Sequence, residues 1–307
     1  MRVFVAGATG AIGTRLVPQL VDRGHEVIGT SRSRERAERL HALGAEPVAL
    51  DILDRQAVRE AILDAKPDAI VHEATALTGL SDFKHFDRSF AQTNRLRTEG
   101  TDALLVAAGE AGIRRFVAQS FASHRYAREG GPVKTEDDPL DPTPVPAMRE
   151  TERAMAHLER VVTEAGGIAL RYGGFYGDPD DPLLDAVRAG KFPIVGNGAG
   201  IWSFIHLDDA ATATVLALDH EGPAIYNIVD DEPAPTSVWL PELARTLGAK
   251  KPPQYPRWLA RIFAGEAPVV MATESRGASN AKAKRELGWT LRYPSWRQGF
   301  AESFRTI

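Results

Sequence analysis

Residues 1–16 read MRVFVAGATGAIGTRL, and this stretch decides the fold. Residues 2–6, RVFVA, form a short apolar run that predicts a strand. The run ends at Gly7, and Gly10 and Gly13 complete a G-x-x-G-x-x-G loop. Leu16, Leu20 and Val21 then recur at helical spacing until Gly24. Strand, glycine loop and helix in that order open the first βαβ unit of a dinucleotide-binding fold. Gly7 permits the tight turn, Gly10 lets the backbone approach a pyrophosphate, and Gly13 lets the helix lie close on the strand. The helix N-terminus offers free N–H groups and partial positive charge to phosphate. The plain alternative is a structural strand-to-helix turn.

The pattern repeats downstream. Strands are predicted at HEVIGTSR (25–32), AEPVALDI (45–52), DAIVHEAT (68–75), RRFVAQS (114–120) and IALRYGGFYG (168–177). Helical stretches separate them, the last running from Met148 to about Ala165. Alternation of this kind implies an α/β protein, a Rossmann-type doubly wound parallel sheet. The segment Gly130–Pro146 is rich in proline, glycine and acid and reads as a surface loop. Beyond residue 175 the pattern becomes irregular. The expected division is a cofactor-binding domain over 1–175 and a smaller C-terminal substrate-binding domain over 176–307. SFIHL (203–207) and AIYNIV (224–229) are expected to return to the main sheet from about 201–230.

The chain has 307 residues, 43% hydrophobic and 25% charged, which suits a globular protein with a sizeable core. A net charge of −4 argues against a general grip on nucleic acid. No apolar run is long enough for a membrane helix, and no signal-peptide pattern is seen. Cysteine is absent, which removes disulfide and thiolate chemistry. The expectation is a cytoplasmic protein acting on a small molecule, without nucleic acid or membrane partners; a homodimer is compatible with it. No metal is expected, because the eight histidines form no H-x-x-x-H, and no G-x-S-x-G elbow is present.

The end of the second strand reads Thr30-Ser31-Arg32-Ser33-Arg34. NAD sites place an acid here for the ribose hydroxyls, whereas NADP sites need a cation for the 2′-phosphate. This five-residue stretch holds no acid and two arginines, Arg32 and Arg34, which favours NADP(H) over NAD(H). In the alternative they are solvated residues at a helix start.

At this point the chain resembles the short-chain dehydrogenase/reductase superfamily, in the extended or atypical branch of epimerases and dehydratases. GATGAIG is similar to its glycine signature, which brings Gly7, Thr9, Gly10, Ala11, Ile12 and Gly13 to the cofactor. LDILD resembles its adenine-contacting turn with Asp51 and Ile52, and VHEATA its segment carrying Ala74, Thr75 and Ala76. LRYGGFYG resembles the segment beside the nicotinamide, with Tyr172, Gly173 and Phe175. SFIHLDDAA and AKRELGW resemble C-terminal landmarks of the branch.

The resemblance also implies a Ser or Thr after strand five and a Tyr-x-x-x-Lys pair on the next long helix. Spacing of four would put that pair on one helix face. Aligned through Glu159, Thr151 takes the tyrosine place and Met155 the lysine place. No Tyr-x-x-x-Lys occurs between Met148 and Ala165. Ser120 is the preferred oxygen-binding donor, with Ser123 as the other choice. Tyr126, His124 and Tyr172 are alternative proton donors, and His206 reads as a packed residue. The expected function is an NADP-dependent oxidoreductase that moves hydride to or from a small carbonyl or alcohol with an unconventional proton donor. The rivals are a nucleotide-sugar-type epimerase or dehydratase, and a non-catalytic NADP-binding sensor.

Overall fold

The computed structural model describes residues 1–77, 82–122 and 124–304, without the side chains of Arg34 and Ala37. Seven strands form one parallel sheet: β1 Arg2–Ala6, β2 Glu26–Ser31, β3 Glu46–Ala49, β4 Ala69–His72, β5 Arg115–Phe121, β6 Ile168–Tyr172 and β7 Ala224–Ile228. Their spatial order is 7-6-5-4-1-2-3. The order reverses between β1 and β4, and ligands in open α/β sheets bind outside the strand ends at such a switch point.

Alternation along β1 sends side chains to both faces. Val3 and Val5 meet α1 (Gly13–Asp22), α2 (Arg34–Ala42) and, further along the sheet, α6 (Leu207–Leu218). Phe4 and Ala6 join the core under α3 (Arg55–Ala65), α4 (Thr101–Glu110) and α5 (Arg149–Glu164). The helical stripe of α5 is Thr151, Ala154, Met155, Leu158, Glu159 and Val162, all buried. A π turn at Leu96–Gly100 precedes α4.

Two expectations are corrected. AIYNIV does return to the main sheet as β7, beside β6. SFIHL does not: Phe204–His206 pairs with Gly174–Tyr176 in a separate two-stranded sheet. The break falls at Gly173: its N–H still donates to Ile228 of the main sheet, whereas the Gly174 N–H donates to the Ser203 carbonyl. The segment 130–146 is also more structured than a loop. Val133–Lys134 pairs with Gly277–Ala278, and Glu136 accepts the Asn227 N–H.

The C-terminal region has its own core, with Trp239, Trp296, Phe204 and Phe300 at its centre. Asp209 at the start of α6 accepts the N–H groups of Arg292 and Tyr293, tying this region to the main sheet. His206 is buried against Tyr293 and caps α6 by accepting the Asp208 N–H. No helix among the described residues is long and apolar enough to cross a membrane.

Candidate cofactor site

The glycine loop is held by backbone and by hydroxyls from β2. Gly10 N–H donates to the Gly7 carbonyl at 3.0 Å, and Gly7 N–H donates to the Thr30 hydroxyl at 3.2 Å. Gly7 has φ +92°, and a Cβ there would lie 2.7 Å from Ala74 N. A Cβ on Gly13 would lie 2.5 Å from the Ala8 backbone. Both positions therefore require glycine for packing. A Cβ on Gly10 would meet only the Gly7 carbonyl, at 3.2 Å, so this glycine keeps open the space above the loop. No side chain caps the N-terminus of α1; Thr14, Arg15 and Leu16 donate to the Gly10 and Ile12 carbonyls, while the N–H groups of Ala11, Ile12 and Gly13 have no partner among the described residues and are left for a ligand.

This loop forms the middle of a cavity of about 900 Å³ along the carboxyl ends of β1–β5. Gly7, Thr9, Gly10, Ala11, Ile12 and Gly13 line it. Arg32, Asp51 and Ile52 stand on the side of β2 and β3, and Ala74, Thr75, Ala76 and Phe175 on the other. Arg34 begins α2, and its side chain lies outside the described residues, as does Ser123. The sequence reading missed Glu35, Arg36, Glu73, Gln92, Leu96 and Gln119, which also line the cavity.

The β4 end is anchored by a buried imidazole. His72 Nε2 donates to the Leu96 carbonyl at 3.2 Å, and Nδ1 accepts the Ala74 N–H at 3.4 Å. Burial pulls this histidine down to about 4, so the ring is neutral and its tautomer follows from its two partners. Glu73, the next residue, points to the opposite side of the strand. Burial pushes its carboxyl up to about 8. Its Oε1 lies 3.0 Å from the Tyr172 hydroxyl, which is 2.6 Å from the Thr214 hydroxyl. Among the described residues Oε2 has no partner, nor does the buried Oε1 of Gln119.

The residues expected to carry proton chemistry lie elsewhere. Ser120 is buried and donates to Glu159 at 2.6 Å. Glu159 also pairs with Arg125 and accepts from Arg171 at 2.8 and 2.9 Å. Burial alone would raise the Glu159 carboxyl, but the two guanidiniums outweigh it and hold it well below the usual range. Tyr126 is also buried; it donates to Asn227 Oδ1 at 2.6 Å and accepts from Arg171 at 3.1 Å. Burial raises its pKa further. His124 stands against Glu152 at 3.2 Å.

Thr151 donates to Asp87 at 2.8 Å and accepts from Asn94 at 3.1 Å. Asp87 also accepts the N–H groups of Glu150 and Thr151, so Thr151 belongs to the cap of α5. Ser120, Tyr126, Thr151 and Met155 are all outside the cavity lining. The same holds for Tyr172 and Gly173. Tyr172 is spent on Glu73 and Thr214, and a Cβ on Gly173 would lie 2.7 Å from the Ser203 carbonyl. Packing against Ser203 therefore explains that glycine.

A parallel sheet of this order, with a glycine loop, an uncapped helix and a long cavity at its switch point, defines a dinucleotide-binding α/β protein. The family model described as "NAD dependent epimerase/dehydratase family" matches residues 3–229, and the chain belongs to that family. At the level of the family it is an oxidoreductase with a nicotinamide cofactor. It is 45% identical to a 3-diazoavenalumate denitrifying reductase from a Streptomyces species, over 97% of this chain and 99% of the relative. A quinoline-oxide ketoreductase of Stigmatella aurantiaca is 29% identical, covering 95% and 92%. Among solved structures, UDP-glucose 4-epimerase from Thermotoga maritima superposes with TM-score 0.79 at 19% identity, covering 99% of this chain and 97% of that one. A human epimerase family protein solved with NADPH gives 0.78 at 20% identity, with all of both chains covered.

Proposed function

We propose that this chain is an NADPH-dependent reductase whose substrate needs no proton from a Tyr-x-x-x-Lys pair, and that the substrate is a cationic diazo compound of the arenediazonium class. One observation carries the reading: α5 contains no Tyr-x-x-x-Lys, and the hydroxyl of Thr151, which takes the tyrosine place when the helix is aligned through Glu159, is committed to Asp87 and Asn94. Reducing a carbonyl creates an alkoxide, and general acid help there is worth about a hundredfold to ten-thousandfold. A diazonium ion makes no such demand. Hydride added to its terminal nitrogen gives a neutral diazene, Ar–N=NH, which loses N2 and leaves Ar–H. Atoms and charge balance without a proton from the protein. The 45% identical Streptomyces relative, a denitrifying reductase of a diazo compound, supports this choice.

The bound nicotinamide supplies the hydride. In this reading the loop from Gly7 to Gly13 and the uncapped α1 hold the diphosphate, and Asp51 and Ile52 flank the adenine. Ala74, Thr75, Ala76 and Phe175 face the nicotinamide half, with Tyr172 and Gly173 shaping the wall behind it. Arg32 and Arg36 meet a 2′-phosphate; Glu35, on the same turn, lies 3.9 Å from Arg39. Residues 1–175 with the returning β7 serve the cofactor, and 176–307 the substrate.

The test mixes the protein with NADPH deuterated at the transferable position and an arenediazonium carboxylate. N2 should be released one for one with NADPH oxidised, and more slowly with the deuterated cofactor than with ordinary NADPH; because the diazene N–D exchanges with water, the arene hydrogen need not carry the label. NADPH consumption by a ketone panel but not by the diazonium ion would reject the substrate class. Tight cofactor binding with no net NADPH consumption by any acceptor would favour the sensor or epimerase reading. Separately, titration should show NADPH bound more tightly than NADH, and Arg32→Ala should erase most of the difference. Equal affinities in the parent protein would refute the NADP preference.

A further inference from the structure

Glu73 is a carboxyl buried at the floor of the cavity, and nothing in the reductase reading uses it. Its location follows from the sheet. It continues β4, next to β1, and a Cβ on Gly7 would lie 2.8 Å from its backbone carbon. In a dinucleotide fold of this order the diphosphate crosses β1 and the nicotinamide half lies toward β4 and β5. Glu73 and Gln119 line that half, and each carries a buried oxygen, Glu73 Oε2 and Gln119 Oε1, without a partner among the described residues. A buried carboxyl with an unpartnered oxygen is costly to ionise, so its charge state answers to any charge placed in the cavity beside it.

Among the described residues, the surroundings of Glu73 contain no compensating cation. From β6 it meets the Tyr172 hydroxyl, and behind that the Thr214 hydroxyl of α6. From β5 the neutral Gln119 lines the same cavity. His72 turns to the other face of β4 and is neutral. The basic residues of the cavity, Arg32 and Arg36, stand beyond β1 on the β2 side. A positive charge brought to this end of the cavity would therefore be the nearest partner for an ionised Glu73.

We propose that Glu73 is a cofactor-binding residue that distinguishes the two redox states, protonated beside reduced nicotinamide and ionised beside the oxidised, cationic ring. The inference rests on the reading of this cavity as the nicotinamide site. Thermodynamic linkage gives its sign. The oxidised ring favours the carboxylate, so binding of NADP⁺ releases a proton; the neutral reduced ring does not. The free carboxyl titrates at about 8, so its values in the two complexes should lie on either side of that point. Within that interval the ratio Kd(NADP⁺)/Kd(NADPH) should fall as pH rises, by up to about tenfold per pH unit. Titration of the 2′-phosphate is common to both ligands and cancels in the ratio.

The experiment measures both dissociation constants between about pH 6.5 and pH 9.5. The parent ratio should fall through this range, and Glu73→Gln, which keeps the size without the charge, should give a flat ratio. Tyr172→Phe removes a hydroxyl that stabilises the carboxylate, so the fall should move to higher pH. A parent ratio independent of pH, or a Glu73→Gln ratio that falls as the parent does, overturns the inference while leaving the cofactor reading intact. If neither nucleotide binds the parent protein, both readings fall together.

Discussion

At the scale of single residues the three loop glycines are not equivalent. Gly7 and Gly13 face backbone at 2.7 and 2.5 Å, so a side chain there disturbs the fold itself. Gly10 has room toward the cavity. Gly10→Val should leave the far-ultraviolet circular dichroism and the melting transition near those of the parent, yet abolish cofactor binding. Unchanged NADPH affinity would mean that the loop is only a turn. These glycines were legible in the sequence because a missing side chain is a local requirement that spacing records. Glu73 was not legible. An acid at the end of a strand usually reaches water, and only the tertiary cover of Tyr172 and Thr214 makes this one buried.

At the scale of elements, α5 was legible from its spacing but its chemistry was not. The stripe from Thr151 to Val162 announces a buried face, and Glu159 within it looks out of place. Its reason is distributed: Arg125 follows β5 and Arg171 lies on β6, so three parts of the chain close one charge cluster. Tyr126 looked free for the same reason, since its acceptor Asn227 is 101 residues away. Replacing Glu159 with Gln would leave two buried guanidiniums without their shared counter-charge. The loss should be about 3–5 kcal/mol in urea unfolding. The Glu159 carboxyl is held below its unfolded value, so its contribution is complete at neutral pH. It fades as pH falls below the ordinary carboxylate range and through the folded value. Glu159→Gln should therefore destabilise strongly at pH 7 and much less in acid. An equal cost at both would show that packing, not charge, sets the effect.

At the scale of the molecule, the cofactor half is not a continuous segment. The face of β1 that carries Val3 and Val5 shares one core with Leu16 and Leu20 of α1 and with Ala210 and Val215 of α6. β7 completes the sheet beside β6. A fragment ending at residue 175 lacks both α6 and β7. It should bind no NADPH and should aggregate, whereas extension to 229 restores the missing cover on the sheet. Nucleotide affinity and light scattering of the two fragments would decide this; a monomeric 1–175 fragment with full affinity would refute it. The sequence pattern located β7 but said little about this dependence, because helical spacing in α6 does not name its partner. The late position of β7 also has a consequence for synthesis. At roughly 5–20 residues per second, the 53 residues from 175 to 228 take about 3–10 s to emerge. During that interval the nascent chain carries a finished glycine loop on an unsealed apolar face, which makes it a client for a chaperone that recognises exposed aliphatic surface.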